Sequence, residues 1–199
     1  MLAGGAVHPA LGHPHVWITV RAELVFSDSL VTEVRQHWTF DPAYSAYAIQ
    51  GLGSADGTLN EGQLRQLAMV NTESLGEFGY FTFLKVNGQN QVFSRPRDTA
   101  MVLEGGRLTL TYSLPVKTPF SPGQAFSFEY DDPTYFVSFT LAADDDAVRL
   151  VDAPPCTVSV NRPTPPVAGG NFADAFSQAL SSQSGFGTIF AIKAQITCH

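Results

Sequence analysis

From Val16 onward, apolar residues occupy every second position without interruption: Val16, Ile18, Val20, Ala22, Leu24 and Phe26. Successive side chains of a strand point to opposite faces, so this run buries one face and leaves the other free. The free face carries His15, Trp17, Thr19, Arg21 and Glu23. Ser27-Asp28-Ser29 marks a turn, and Val31 to Phe40 reads as the returning strand. Val34, Trp38 and Phe40 suit its core face; Glu33, Arg35, His37, Thr39 and Asp41 suit the other. Two registers keep the apolar faces together, and Glu23 opposite Arg35 favours one of them. In either register Asp41 lies beside the start of the first strand, opposite His15 or Trp17. His37 lies opposite Thr19 or Arg21, at least ~13 Å from His15 along the strand.

Residues 43–79 read as a helical insertion. Ala43 to Gln50 suits a short helix, and Asn60 with Gln63 resembles a capping box opening a second, with Gly79 as its stop. Because Trp17 is a large aromatic on the polar face of the hairpin, the insertion is expected to cover that face. Strands resume at 80–86, with a hairpin signal at Asn87-Gly88, and are predicted at 91–95, 99–104, 107–114, 124–130, 134–141, 148–151 and 156–160. Residues 161–199 hold a proline-rich linker, a helix at 171–183 and a closing strand at 189–198, packed on the same domain. The expected fold is mainly β: an antiparallel β-sandwich-like domain spanning 13–160 with its helical insertion, completed by the C-terminal helix and strand.

Composition narrows the function. Eleven Lys and Arg against 18 Asp and Glu give a net charge of −7, with no basic run to displace counterions from nucleic acid. No apolar stretch reaches the ~20 residues of a membrane-spanning helix. GxSxG, HExxH and Walker patterns are missing, so no enzyme activity is expected. Residues 1–12 are small and apolar and end in Ala10-Leu11-Gly12, which resembles the remnant of a signal peptide. The two cysteines, Cys156 and Cys198, lie in β-like runs, and their number alone leaves a disulfide and two separate thiols equally open. Export tips the reading to a Cys156–Cys198 disulfide closing a loop of ~40 residues, worth about 3–4 kcal/mol on the chain-entropy model.

His13-Pro14-His15 is the strongest chemical signal. Residues two apart on an extended backbone share a face, and Pro14 stiffens the segment, so two imidazoles can converge on one ion. Imidazole suits zinc, nickel, cobalt or copper. Asp41 is the expected third ligand or imidazole-orienting acceptor, and Asp132 a weaker candidate. Were the mature chain to begin at His13, its amine and side chain would resemble a copper brace, with His37 or His199 as the distant histidine. Leu52 to Gln63 has the outline of a decayed calcium loop, with Leu52 and Gln63 where acidic ligands are needed. Asp144-Asp145-Asp146 reads as a solvated turn, and Asp131 to Phe136 as an Asp-Pro turn over packed aromatics.

Five segments carry a resemblance: His13-Pro-His-Val-Trp17, Arg35-Gln-His-Trp-Thr-Phe-Asp41, Phe78-Gly-Tyr-Phe-Thr82, Asp132-Pro-Thr-Tyr-Phe136 and the Cys198 strand. Together they resemble the bacterial family known as domain of unknown function 1007. The resemblance implies a periplasmic protein working beside nickel-, cobalt- or zinc-type membrane metal transporters. The reading is a metal-binding accessory protein handling a divalent transition metal, Zn²⁺ first and Ni²⁺ or Co²⁺ next. The alternative is a module that binds a protein or organic ligand through the aromatic face around Trp17 and Tyr135.

Overall fold

A computed structural model describes residues 15–53, 59–123, 125–134, 136–162 and 191–199. The N-terminal hairpin forms as its alternation requires. Strand β1 (Val16–Ser27) pairs antiparallel with β2 (Leu30–Phe40), and Glu23 stands opposite Arg35. The chain then builds α1 (Pro42–Ala48), α2 (Glu61–Leu75) and a 3-10 turn (Gly76–Phe81). Nine strands follow: β3 (Thr82–Val86), β4 (Gln89–Asn90), β5 (Arg97–Glu104), β6 (Arg107–Phe120), β7 (Ala125–Tyr130), β8 (Val137–Leu141), β9 (Val148–Val151), β10 (Cys156–Asn161) and β11 (Ile192–Cys198). The fold is mainly β, in two sheets.

The first sheet runs β5-β6-β2-β1-β8, with β9 also on β1; the second runs β10-β11-β7-β3-β4. Both β8 and β9 lie parallel to β1, on one edge, separated by the turn that holds Asp144 to Asp146. That turn is tied down: the Arg21 guanidinium grips the Asp144 carboxylate, and Arg162 donates to the carbonyls of Ala142 (2.8 Å) and Asp144 (3.1 Å). Cys156 faces Cys198 across the β10–β11 ladder, and the two form a disulfide 42 residues apart. Segment 91–95 is not a strand. It makes a single bridge to β6, Phe93 to Val116, flanked by Ser94 N on the Pro115 carbonyl and Lys117 N on the Val92 carbonyl (both 2.8 Å), and Pro96, which has no N–H to give, parts it from β5. The expected helix at 171–183 and the segment 1–14 lie outside the described residues.

Between the sheets, aromatic rings surround Trp38, with Tyr112, Tyr130 and Phe139 edge-on to it at 5.3–6.1 Å. Gln36 shares the core face of β2 and is fully buried. Its Oε1 accepts from Trp38 Nε1 (3.1 Å) and from the Tyr130 hydroxyl, and its Nε2 donates to Thr82 Oγ1 (3.1 Å). Thr82 in turn donates to the Tyr80 carbonyl (2.8 Å). A polar chain in the middle of an apolar core is tolerable because its members find partners. The Tyr112 hydroxyl is the exception: it is buried with no hydrogen-bond partner among the described residues.

The helices do not cover the polar face of the hairpin. Trp17 stays 51% exposed, and α1 and α2 lie on the inner side. The cause is local. Tyr44 stacks on Phe40 at 4.7 Å, and Leu64, Leu67 and Leu75 pack against the core cluster. Ser45 Oγ donates to the Asp41 carbonyl and accepts from Leu108 N, fastening α1 to β6. The apolar side of the insertion therefore extends the inner layer beyond the second sheet. As expected, α2 opens with a capping box between Asn60 and Gln63.

Candidate functional site

The residues singled out in the sequence gather at one end of the first sheet, where β1 begins and β2 ends. Phe40 faces Ile18, so the next pair is Trp17 with Asp41. Asp41 N donates to the Trp17 carbonyl (2.9 Å), and Trp17 N donates to Asp41 Oδ2 (3.0 Å). Asp41 Oδ1 accepts from Ala43 N (2.8 Å) and Tyr44 N (2.9 Å), capping α1. One carboxylate thus closes the hairpin and starts the helix. Oδ1 is saturated by two donors, and only Oδ2 keeps a lone pair for anything else.

Asp132 does similar work in the loop before β8. It is buried, with Oδ1 accepting from Thr134 N (2.9 Å) and Thr134 Oγ1 (2.7 Å) and Oδ2 from Val137 N (2.8 Å). The loop so shaped delivers Phe136 to His15. His15 N donates to the Phe136 carbonyl (2.9 Å), and the two rings sit 5.0 Å apart, with the histidine exposed. Burial pushes the neighbouring Asp131 carboxyl up, and the charges of Asp132 and Glu129 add to this.

The structure therefore places His15, Asp41 and Asp132 at one end of the fold, with both carboxylates engaged by backbone N–H groups. His13 lies outside the described residues, as does Tyr135. Among the described residues no three His, Cys, Asp or Glu side chains form a group that would hold a metal ion. His37 is exposed on the outer face opposite Arg21, six residues and about 20 Å along the strand from His15. His199 sits beyond β11 on the second sheet, its N–H on the Pro155 carbonyl.

The chain belongs to a known family. The family described as "Protein of unknown function (DUF1007)" matches residues 1–198. An uncharacterized protein of Haemophilus influenzae (strain ATCC 51907 / DSM 11121 / KW20 / Rd) is 23% identical over 191 residues, covering 95% of this chain and 92% of that protein.

Inference from sequence missed a second feature at the same end. Between the start of the hairpin and the helices lies a cavity of about 350 Å³, floored by Val16, Ile18 and Trp38 and walled by Leu75, Phe81 and Val137. The signal that could have found it is the cluster of apolar residues at 75–81, too many for a helix end that packs on nothing. No helix among the described residues is long and apolar enough to cross a membrane.

Proposed function

We propose that this DUF1007 protein is a metal-binding accessory factor of an oxidising compartment, the periplasm, where it carries or buffers Zn²⁺, or Ni²⁺ or Co²⁺, for a membrane transporter and catalyses nothing itself. The observation that carries this reading is the placement of His15, exposed at the entry to β1 and two residues after His13. Residues two apart on an extended backbone share a face, so the order His13-Pro14-His15 favours two imidazoles meeting at one ion. Asp41 then supports the site by fixing the backbone at Trp17, next to His15, and not as a principal ligand. Asp132 acts one step further out, by shaping the loop that bears Phe136. The Cys156–Cys198 disulfide supports a location outside the reducing cytoplasm.

Calorimetric titration with Zn²⁺ tests the proposal. One ion should bind per chain, with affinity reduced at least ~10-fold by His13→Ala and by His15→Ala and unchanged by His37→Ala. Binding should fade as pH falls through about 6.5, where protonated imidazole has no lone pair to give. A silent His15→Ala beside a damaging His37→Ala would move the ion elsewhere, and a wild type that binds no divalent metal would end the proposal.

A further inference from the structure

The cavity beside α2 is larger than a close-packed interior leaves. Cores pack like organic crystals, and an apolar void of ~150 Å³ already admits benzene; this one is about 350 Å³, within the range of small-molecule sites. Three walls enclose it: the inner face of β1 and β2, the C-terminal turn of α2, and the loop held by Asp132. At the mouth stand Phe78 and Phe136, 54% and 46% exposed, each an aromatic ring kept half in water.

The backbone turns sharply beside the mouth. Gly79, Tyr80 and Phe81 have φ of +58°, +59° and +46°, a left-handed run that aromatic residues rarely adopt. This turn stacks Phe81 on Phe78 at 5.2 Å with the rings nearly parallel. Strain of this sort persists where surrounding structure enforces it, often beside a binding site.

Apart from Ser74, which is exposed, the polar side chains of the lining are engaged in hydrogen bonds. Asn71 accepts from the Tyr44 hydroxyl (3.1 Å) and donates to the Leu67 carbonyl (2.8 Å), and Asp132 spends its oxygens on three donors. An anionic ligand group would be stripped of water beside the Asp132 carboxylate with no cation in the lining to replace it. Aromatic edges and faces remain, from Trp38, Phe40, Tyr44 and Phe81.

We propose that this cavity is a binding site for a small, uncharged, aromatic molecule of two or three rings, capped at the mouth by Phe78 and Phe136. The site shares the loop of Asp132 and Phe136 with the metal reading but uses neither of its histidines as a lining residue, so loss of zinc binding and loss of probe binding are read separately.

Titration of the full chain with N-phenyl-1-naphthylamine, an uncharged fluorophore, tests this. Emission should rise and shift to the blue, saturating at one probe per chain. Leu75→Trp, which fills the cavity from α2, should weaken binding at least tenfold, and so should the pair Phe78→Ala and Phe136→Ala, whose exposed positions leave the fold intact by circular dichroism. Val102→Ala, on the outer face of β5, serves as a control and should change nothing. An anilinonaphthalene sulfonate should bind at least tenfold more weakly than the uncharged probe. The proposal falls if no saturable binding occurs, or if the filled and the mouth variants bind like wild type. Equal affinity for the sulfonate would overturn the uncharged class, and one probe per two chains would make the mouth a self-association surface instead.

Discussion

The middle of the sandwich and its helical end are built from the same materials and finished differently. In the middle, Trp38 is ringed by Tyr112, Tyr130 and Phe139, and the gap that rings cannot fill is taken by Gln36, whose oxygen and nitrogen are both in use. At the helical end, Phe40, Tyr44, Phe78, Phe81 and Phe136 surround space, and polar groups nearby are spent on one another, Tyr44 on Asn71 and Thr134 on Asp132. In the middle, Gln36 satisfies the buried indole of Trp38 and the phenol of Tyr130, and the rings close around it. At the helical end the rings leave room that another molecule can take.

Gln36→Leu should break the closed region and have the largest effect. It keeps an apolar volume but strips Trp38 Nε1 and the Tyr130 hydroxyl of their acceptor, at about 2–4 kcal/mol in urea unfolding. Asp41→Ala acts at the open end, removing the cap of α1 and the clamp on Trp17 N, for about 1–2 kcal/mol. Phe78→Ala should change stability by less than ~0.5 kcal/mol, since the ring it removes is more than half in water. Tyr112→Phe should be neutral or slightly stabilising, because the hydroxyl it deletes has no partner to lose. A cost above ~1 kcal/mol for that variant would place an unseen partner on the Tyr112 hydroxyl.

Among the described residues no carboxylate lies in the closed region, so acid should act first on the outer faces. Glu33 is buried on the outer face of the first sheet; desolvation pushes its carboxyl up, but the hydrogen bonds and charges of Arg97 and Arg35 outweigh this and hold it below the usual range. A carboxyl lowered on folding contributes stability above its unfolded pKa, and that contribution is lost as pH falls through the folded value. Urea midpoints should therefore drop on acidification below the model-peptide carboxylate range near ~4.3, and Glu33→Gln should flatten that drop. Hydrogen exchange of the Trp38 indole should stay slow throughout.

Much of this was readable from residue order. The alternation of Val16 to Phe26 gave the hairpin, and the Glu23–Arg35 charge pair chose its register, which in turn set Asp41 beside Trp17. The wrong expectation came from Trp17. A large aromatic on an outer face predicts a cover, but the helices follow their own apolar residues, and Tyr44 on Phe40 draws them inward. Gln36 stood in plain sight at a core position between Val34 and Trp38. Its partners Thr82 and Tyr130 are 46 and 94 residues away, and nothing local announces such a network. The left-handed turn at 79–81 was invisible for a similar reason: a positive φ at Tyr80 and Phe81 is imposed by packing and contradicts their own preference.

The division of the strand beside β1 into β8 and β9 bears on how this protein avoids its own kind. A long open edge offers a continuous row of backbone donors and acceptors to any neighbouring strand, and so seeds aggregation. Here β8 supplies five residues and β9 four, and between them the chain turns out through an acidic corner pinned by Arg21 and Arg162. A neighbour approaching that edge would lose register within a few residues and meet the Arg21–Asp144 ion pair at the break. Interrupted this way, the edge offers no run of more than five residues, in β8 or in β9, for a foreign strand to copy.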